Sequence, residues 1–154
     1  MKAKIFLRVA SVLTLIHAIL HTIGGVFGKP APGLATATEA VMRANYFPAL
    51  GQTRSYWEFY RGMGLGVTIT LTAEGLLFWL LSSLARKDAA QLRPILWVFV
   101  LSYLAFAMNS YAYFFNAPVI VEILIAACLL GAIATAKPSA ATQQVAIRPA
   151  HTRD

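Results

Sequence analysis

Residues 5–27 read IFLRVASVLTLIHAILHTIGGVF. Arg8 is the only full charge, and the rest is apolar except for short hydroxyls and two histidines, His17 and His21. A helix needs about 20 apolar residues to cross the hydrocarbon core of a bilayer. Residues 60–84, 94–115 and 118–136 meet the same condition, and Pro94 suits a first helical turn. The chain is therefore expected to be all-α, an integral membrane four-helix bundle occupying residues 1–136. The tail, residues 137–154, is rich in Ala, Thr, Gln and Pro and is expected to be disordered.

Composition supports this reading. Hydrophobic residues make up 58% of the chain and charged ones 12%, which lies outside the range of ordinary soluble domains. The net charge of +7 does not point to nucleic acid, because no basic stripe interleaves with aromatics on a soluble face. The charge reads instead as orientation. Lys2, Lys4 and Arg8 precede the first span, Arg86, Lys87 and Arg93 join the second to the third, and Lys137, Arg148 and Arg153 follow the fourth. All three groups fall on one side of an even-numbered bundle, so both termini are expected to be cytoplasmic. Lys29, Arg43 and Arg54 in the first loop weaken that contrast without reversing it. The first span is longer than a signal-peptide core and lacks a small-x-small cleavage site before Lys29, so it reads as an uncleaved anchor. Cys128, the single cysteine, allows no intrachain disulfide and reads as a small packing residue.

The external loop, residues 28–56, opens with Lys29-Pro30-Ala31-Pro32-Gly33, which cannot form regular helix. Thr38 is expected to cap a short interfacial helix running to about Tyr46. Tyr56, Trp57, Phe59 and Tyr60 read as an aromatic belt at the head of the second span. Only Asn116-Ala117-Pro118 separates the third span from the fourth, which implies a tight antiparallel hairpin.

Little hydrophobic force acts between helices in lipid, so small and polar residues mark their contact faces. On the first span these are Ala10, Thr14, His17, His21, Gly24 and Gly28. On the second, Gly62, Gly66, Thr70 and Glu74 form one row that begins with a small-xxx-small pair. On the third, Ser102, Phe106, Asn109, Tyr113 and Asn116 share a face, and on the fourth Glu122 lines up with Ala126. The glycines Gly62, Gly64 and Gly66 follow an aromatic helix start rather than a strand, so they read as packing and not as a phosphate-binding loop.

Ionisable residues at membrane depth are costly and are functional candidates by default. At about 1.5 Å per residue, His21 lies roughly 9 Å below the outer end of its span and Glu122 roughly 6 Å below its own, with Asn109 at a comparable depth. Arg61 and Glu58 stand just above. His17, His21, Asn109, Glu122, Arg61 and Glu58 are thus expected to converge on an outward-opening polar pocket. A histidine and Glu122 would suit proton transfer there. His17 and His21, four residues apart on one helix face, would suit one metal ion, although a third ligand is not evident. Projecting from the same face, they cannot grip one haem from both sides. The structural readings stand beside these: histidines bonding across the bundle, Glu122 paired with Arg61 or a histidine, and Glu58 simply solvated. Glu74 lies in the inner half with no basic residue at its level. It is expected to be protonated and bonded to hydroxyls, with a proton path from His21 as a further reading.

His21-Thr22-Ile23-Gly24, then Gly51-Gln52-Thr53-Arg54-Ser55 leading into Trp57-Glu58-Phe59-Tyr60 and Gly62, resemble an uncharacterised family of small bacterial four-helix inner-membrane proteins. The likeness covers about the first half of the chain and implies a multi-pass protein of the bacterial inner (plasma) membrane, with no activity attached. A fainter likeness, of residue type only, is to DoxX-like and sterol-isomerase-like (EXPERA) bundles, and it carries over no catalytic role.

The leading functional expectation is a protein that binds or helps transport a small or lipid-like ligand in its outer pocket. The alternatives are a membrane-embedded enzyme using His and Glu on an apolar substrate, and a structural accessory subunit. The partners expected are the lipid bilayer, a lipid-like small molecule, and a membrane subunit or second copy. No cofactor is specified by any motif.

Overall fold

The computed structural model describes residues 2–137; the tail expected to be disordered lies, beyond Lys137, outside the described residues. Helix α1 (Lys2–Leu20) continues as a π-helical stretch, His21–Val26. After a non-helical passage come α2 (Leu34–Ala44), the strands β1 (Tyr46–Ala49) and β2 (Gln52–Ser55), and the long α3 (Tyr56–Asp88). A short 3-10 turn, Ala90–Leu92, leads to α4 (Arg93–Tyr113), and α5 (Asn116–Thr135) follows. Four of these helices are long and apolar enough to cross a membrane, which fits a multi-pass membrane protein. They are displaced from the expected spans by a few residues at each end. The largest difference is in α3, whose 33 residues make a rod of about 50 Å.

The chain divides into two compact units. One holds the residues up to Thr14 together with those from Glu74 onward; the other holds Leu15–Ala73.

In the first unit the larger apolar cluster draws on α1, α3, α4 and α5, with Leu7, Phe78, Leu96, Val100, Ile125 and Leu129 among its buried residues. Small residues fill the closest approaches, among them Ala10, Ser11, Ser82, Ala126 and Ala132. A Cβ on Gly131 would lie 2.8 Å from the Phe6 ring, so this glycine is what lets the ring lie against α5. The α4–α5 connection is Phe114-Phe115, as tight as the hairpin expected. Arg93 Nη2 donates to the Ala136 carbonyl at 2.8 Å, so the first residue of α4 satisfies a carbonyl at the end of α5. The outward faces are apolar: Ile5, Val12, Leu76, Leu80, Val98, Leu101, Met108 and Ile120 are all exposed. An apolar exterior around hydroxyl-bearing helix contacts is the arrangement a hydrocarbon surround favours.

In the second unit three features depart from the sequence reading. First, α2 begins at Leu34, after Gly33 at φ 94°, where glycine meets no steric penalty. Thr38 lies inside this helix, its hydroxyl donating to the Leu34 carbonyl, and does not cap it. Second, residues expected to be irregular form an antiparallel hairpin, pairing Tyr46 with Ser55 and Ala49 with Gln52. Its turn is Leu50-Gly51 at φ 46° and 82°, the paired positive values that match strand twist. Third, the π turn shifts the register of α1. The inward row holds through Thr14, His17 and His21, then passes to Val26, while Gly24 and Gly28 are exposed. A π turn takes in an extra residue, so a row extrapolated at α-helical spacing drifts off the buried face.

The small-xxx-small pair is also relocated. A Cβ on Gly62 or Gly66 would meet nothing within 4 Å, whereas one on Gly64 would come within 3.1 Å of Val26. Gly131→Ala is expected to lower the melting temperature in detergent, costing about 1–3 kcal/mol because the Phe6 ring must move. Gly62→Ala and Gly66→Ala are expected to leave stability unchanged or raise it by up to about 1 kcal/mol. Equal melting of all three variants would contradict the Phe6 contact.

Candidate functional site

The buried face of α4 is Leu96, Val100, Tyr103, Ala107 and Ser110, a four-three alternation that gives one continuous seam. Two of its members carry polar groups to the interior. The Tyr103 hydroxyl donates to Glu74 Oε2 at 2.6 Å and lies 3.3 Å from Thr14 Oγ1. Thr14 in turn donates to the Ala10 carbonyl at 2.9 Å. Next to this row, Ser11 Oγ donates to the Gly75 carbonyl at 2.6 Å. Two turns along α4, Ser110 Oγ donates to Glu122 Oε1 at 3.0 Å. Tyr103 and Ser110 are seven residues apart, so the two carboxyl groups meet the same helix face about 10 Å apart along the axis.

The Glu74 row has a specific chemical property. With Glu74 ionised, Tyr103 donates to it and Thr14 donates to Ala10. With Glu74 protonated, all three hydroxyls can point the same way, from Glu74 to Tyr103 to Thr14 to the carbonyl. The geometry therefore serves either state of the carboxyl without an unpaired hydrogen. Glu122 differs. Its Oε1 accepts from Ser110, while its Oε2 is shielded from water with no partner among the described residues. Buried polar atoms are nearly always paired, so this oxygen marks an unused valence.

The histidines belong to the second unit. His21 Nε2 donates to the Gly64 carbonyl of α3 at 3.0 Å, and Thr22 and Thr68 meet hydroxyl to hydroxyl at 3.0 Å. Its other ring nitrogen lies over its own helix, 3.3 Å from where a Gly25 Cβ would be. His17 is half-buried, and its Nδ1 is shielded with no partner among the described residues. No group of three or more His, Cys, Asp or Glu residues that could hold a metal occurs among the described residues.

Of the other expected pocket residues, Asn109 lies in the first unit but on the exposed side of α4. The face expected from the polar residues of this helix, running from Ser102 through Asn109 to Asn116, is one residue, or 100°, away from the buried one. Glu58 has a structural role. Its Oε2 accepts from Ser55 N and Ser55 Oγ at 2.7 and 3.1 Å, while Ser55 Oγ accepts from Glu58 N at 3.1 Å. This is a reciprocal capping box that starts α3 at Tyr56, legible as Ser55-x-x-Glu58 but not read as such from sequence. Arg61 lies over the Phe27 ring, 4.6 Å from its centroid. Sequence reasoning also missed Tyr103 and Ser110, for which the seven-residue spacing alongside Leu96 and Val100 was the available signal.

Comparison with protein-family models, with curated proteins and with solved structures finds no match for this chain. The chemistry of the site therefore rests on its geometry.

Tyr103→Phe removes the hydroxyl that donates to Glu74 and is expected to cost about 1–3 kcal/mol. Glu74→Gln keeps an acceptor oxygen for Tyr103 and should cost less, an order that thermal unfolding in a single detergent checks. Ser55→Ala is expected to cost about 1 kcal/mol through loss of the helix cap, read by the same measurement.

Proposed function

We propose that this chain is a multi-pass protein of the inner membrane, with both termini cytoplasmic, that binds or helps transport a small or lipid-like ligand through a carboxyl group buried among its helices. The basic residues at the chain start, between α3 and α4 and after α5 support the orientation. The observation that carries the ligand reading is Glu122: 6% exposed, held by Ser110 through one oxygen and without a partner at the other among the described residues. A ligand with an apolar body and one donor group, such as an amine, alcohol or amide, would satisfy that oxygen while its body replaces packed hydrocarbon. In low dielectric such a bond is worth more than at a surface.

A membrane-embedded enzyme that moves protons with histidine and glutamate is the second reading. It is favoured by the Glu74–Tyr103–Thr14 row, whose hydroxyls stay paired in either protonation state of the carboxyl.

Native mass spectrometry of gently extracted full-length protein tests the first reading. Wild type is expected to carry a co-purified small or lipid-like molecule, with occupancy reduced about tenfold or more in Glu122→Ala and less in Glu122→Gln, which keeps an acceptor. An empty wild-type protein, or equal occupancy in Glu122→Ala, would overturn it.

A further inference from the structure

In the second unit a groove of about 160 Å³ runs beside the end of the π turn, lined by Phe27, Lys29, Glu39, Arg43, Trp57 and Arg61, with Gly28 in its wall. Gly28 is required there: a Cβ would collide with the Gly24 carbonyl oxygen, so the bend that brings Lys29 to the groove depends on this residue. The groove holds several times the space that one water needs.

Its charges are unbalanced. Three cations, Lys29, Arg43 and Arg61, line it against one carboxylate, Glu39. Glu39 is used by Arg43, whose Nε and Nη2 approach Oε1 at 2.7 and 2.6 Å. Lys29 and Arg61 have no acidic partner among the described residues. The two arginines are also held in place. Arg43 stacks on Trp57 and Arg61 on Phe27, each with its guanidinium carbon 4.6 Å from the ring centroid. Trp57 is backed in turn by Tyr60, with ring centroids 5.7 Å apart. Stacking occupies the face of a guanidinium and leaves its edge of N–H donors free for an oxyanion. The indole N–H of Trp57 is shielded from water and has no acceptor among the described residues.

We propose that this groove is an oxyanion site that takes a phosphate group, with Arg61 and Lys29 as its principal ligands and Arg43 held in reserve by Glu39. Phosphate chemistry fits because charge-assisted bonds to fixed guanidinium edges are strong and directional. The source that the surroundings favour is an anionic phospholipid, since the groove lies where α1 and α3, both long enough to span a membrane, reach the first loop. The site shares no residue with Glu122 and does not depend on the ligand reading made there.

The test titrates full-length protein in neutral detergent with short-chain phosphatidylglycerol, with short-chain phosphatidylcholine, and with inorganic phosphate. Binding is read by native mass spectrometry and by intrinsic tryptophan fluorescence. Phosphatidylglycerol is expected to bind in a salt-sensitive manner, with affinity falling about tenfold in Arg61→Gln and in Lys29→Gln. Arg61→Lys should recover part of that loss, and Lys2→Gln should change nothing. Glu39→Gln is expected to tighten binding severalfold, a gain that a misfolded variant cannot produce. Inorganic phosphate binding as tightly as the lipid, with the same variant pattern, supports the oxyanion site and assigns it to a soluble anion. Failure of both to bind, equal binding of phosphatidylcholine, or no response to Arg61→Gln and Glu39→Gln would overturn it. Unchanged lipid binding in Glu122→Gln keeps this result separate from the outcome at that residue.

Discussion

A helix whose outward side chains are mostly hydrocarbon must find partners for its buried polar groups inside, and the Tyr103 hydroxyl is where this chain meets that constraint most fully. It is completely buried, yet it bonds to a carboxyl from α3 and touches a hydroxyl from α1. Removed from water, each of these groups would cost far more unpaired than it gains when paired. The three side chains thus hold one another, and with them the rotation of three helices about their own axes. The small residues around them, Ala10, Ser11 and Ala107, are what allow such close approach.

The same constraint explains why Glu122 stands out. It has one bonded oxygen and one with no partner among the described residues, in surroundings where such oxygens are rare. Glu74 is only partly buried and is served by a tyrosine. The two acidic residues that meet the buried face of α4 therefore differ: Glu74 belongs to a row of hydroxyls, and Glu122 keeps a shielded oxygen with no partner among the described residues.

At the other end of α1 the organising elements are glycines and rings. The π turn widens the helix at His21 to Val26, Gly64 admits Val26 and receives the His21 bond on its carbonyl, and Gly28 turns the chain. Phe47 packs on Tyr56 and Phe59, which holds the hairpin to the head of α3. Among the aromatic residues read from sequence as an interfacial belt, Trp57 seats Arg43, and Tyr56 and Phe59 anchor the hairpin.

The four long helices, their order and the tight α4–α5 turn were legible from hydropathy and length, because apolar runs of that length have few alternatives. The burial of Glu74 and Glu122 was legible too, since a carboxylate in such a run must turn inward. The partners were not. The face of α4 was misjudged by one residue, because Asn109 and Asn116 advertise polarity while Tyr103 and Ser110 supply the buried groups. The row on α1 failed past His21, because a π turn leaves no mark in composition. The hairpin was missed because its strands are four residues long and one contains proline. What the amino-acid sequence determined by itself is the kind of solvent these helices suit and which residues that solvent drives inward. Only the tertiary structure decided which hydroxyl meets which carboxyl and where cations gather on aromatic faces, because those choices depend on helix rotation, to which hydropathy is blind.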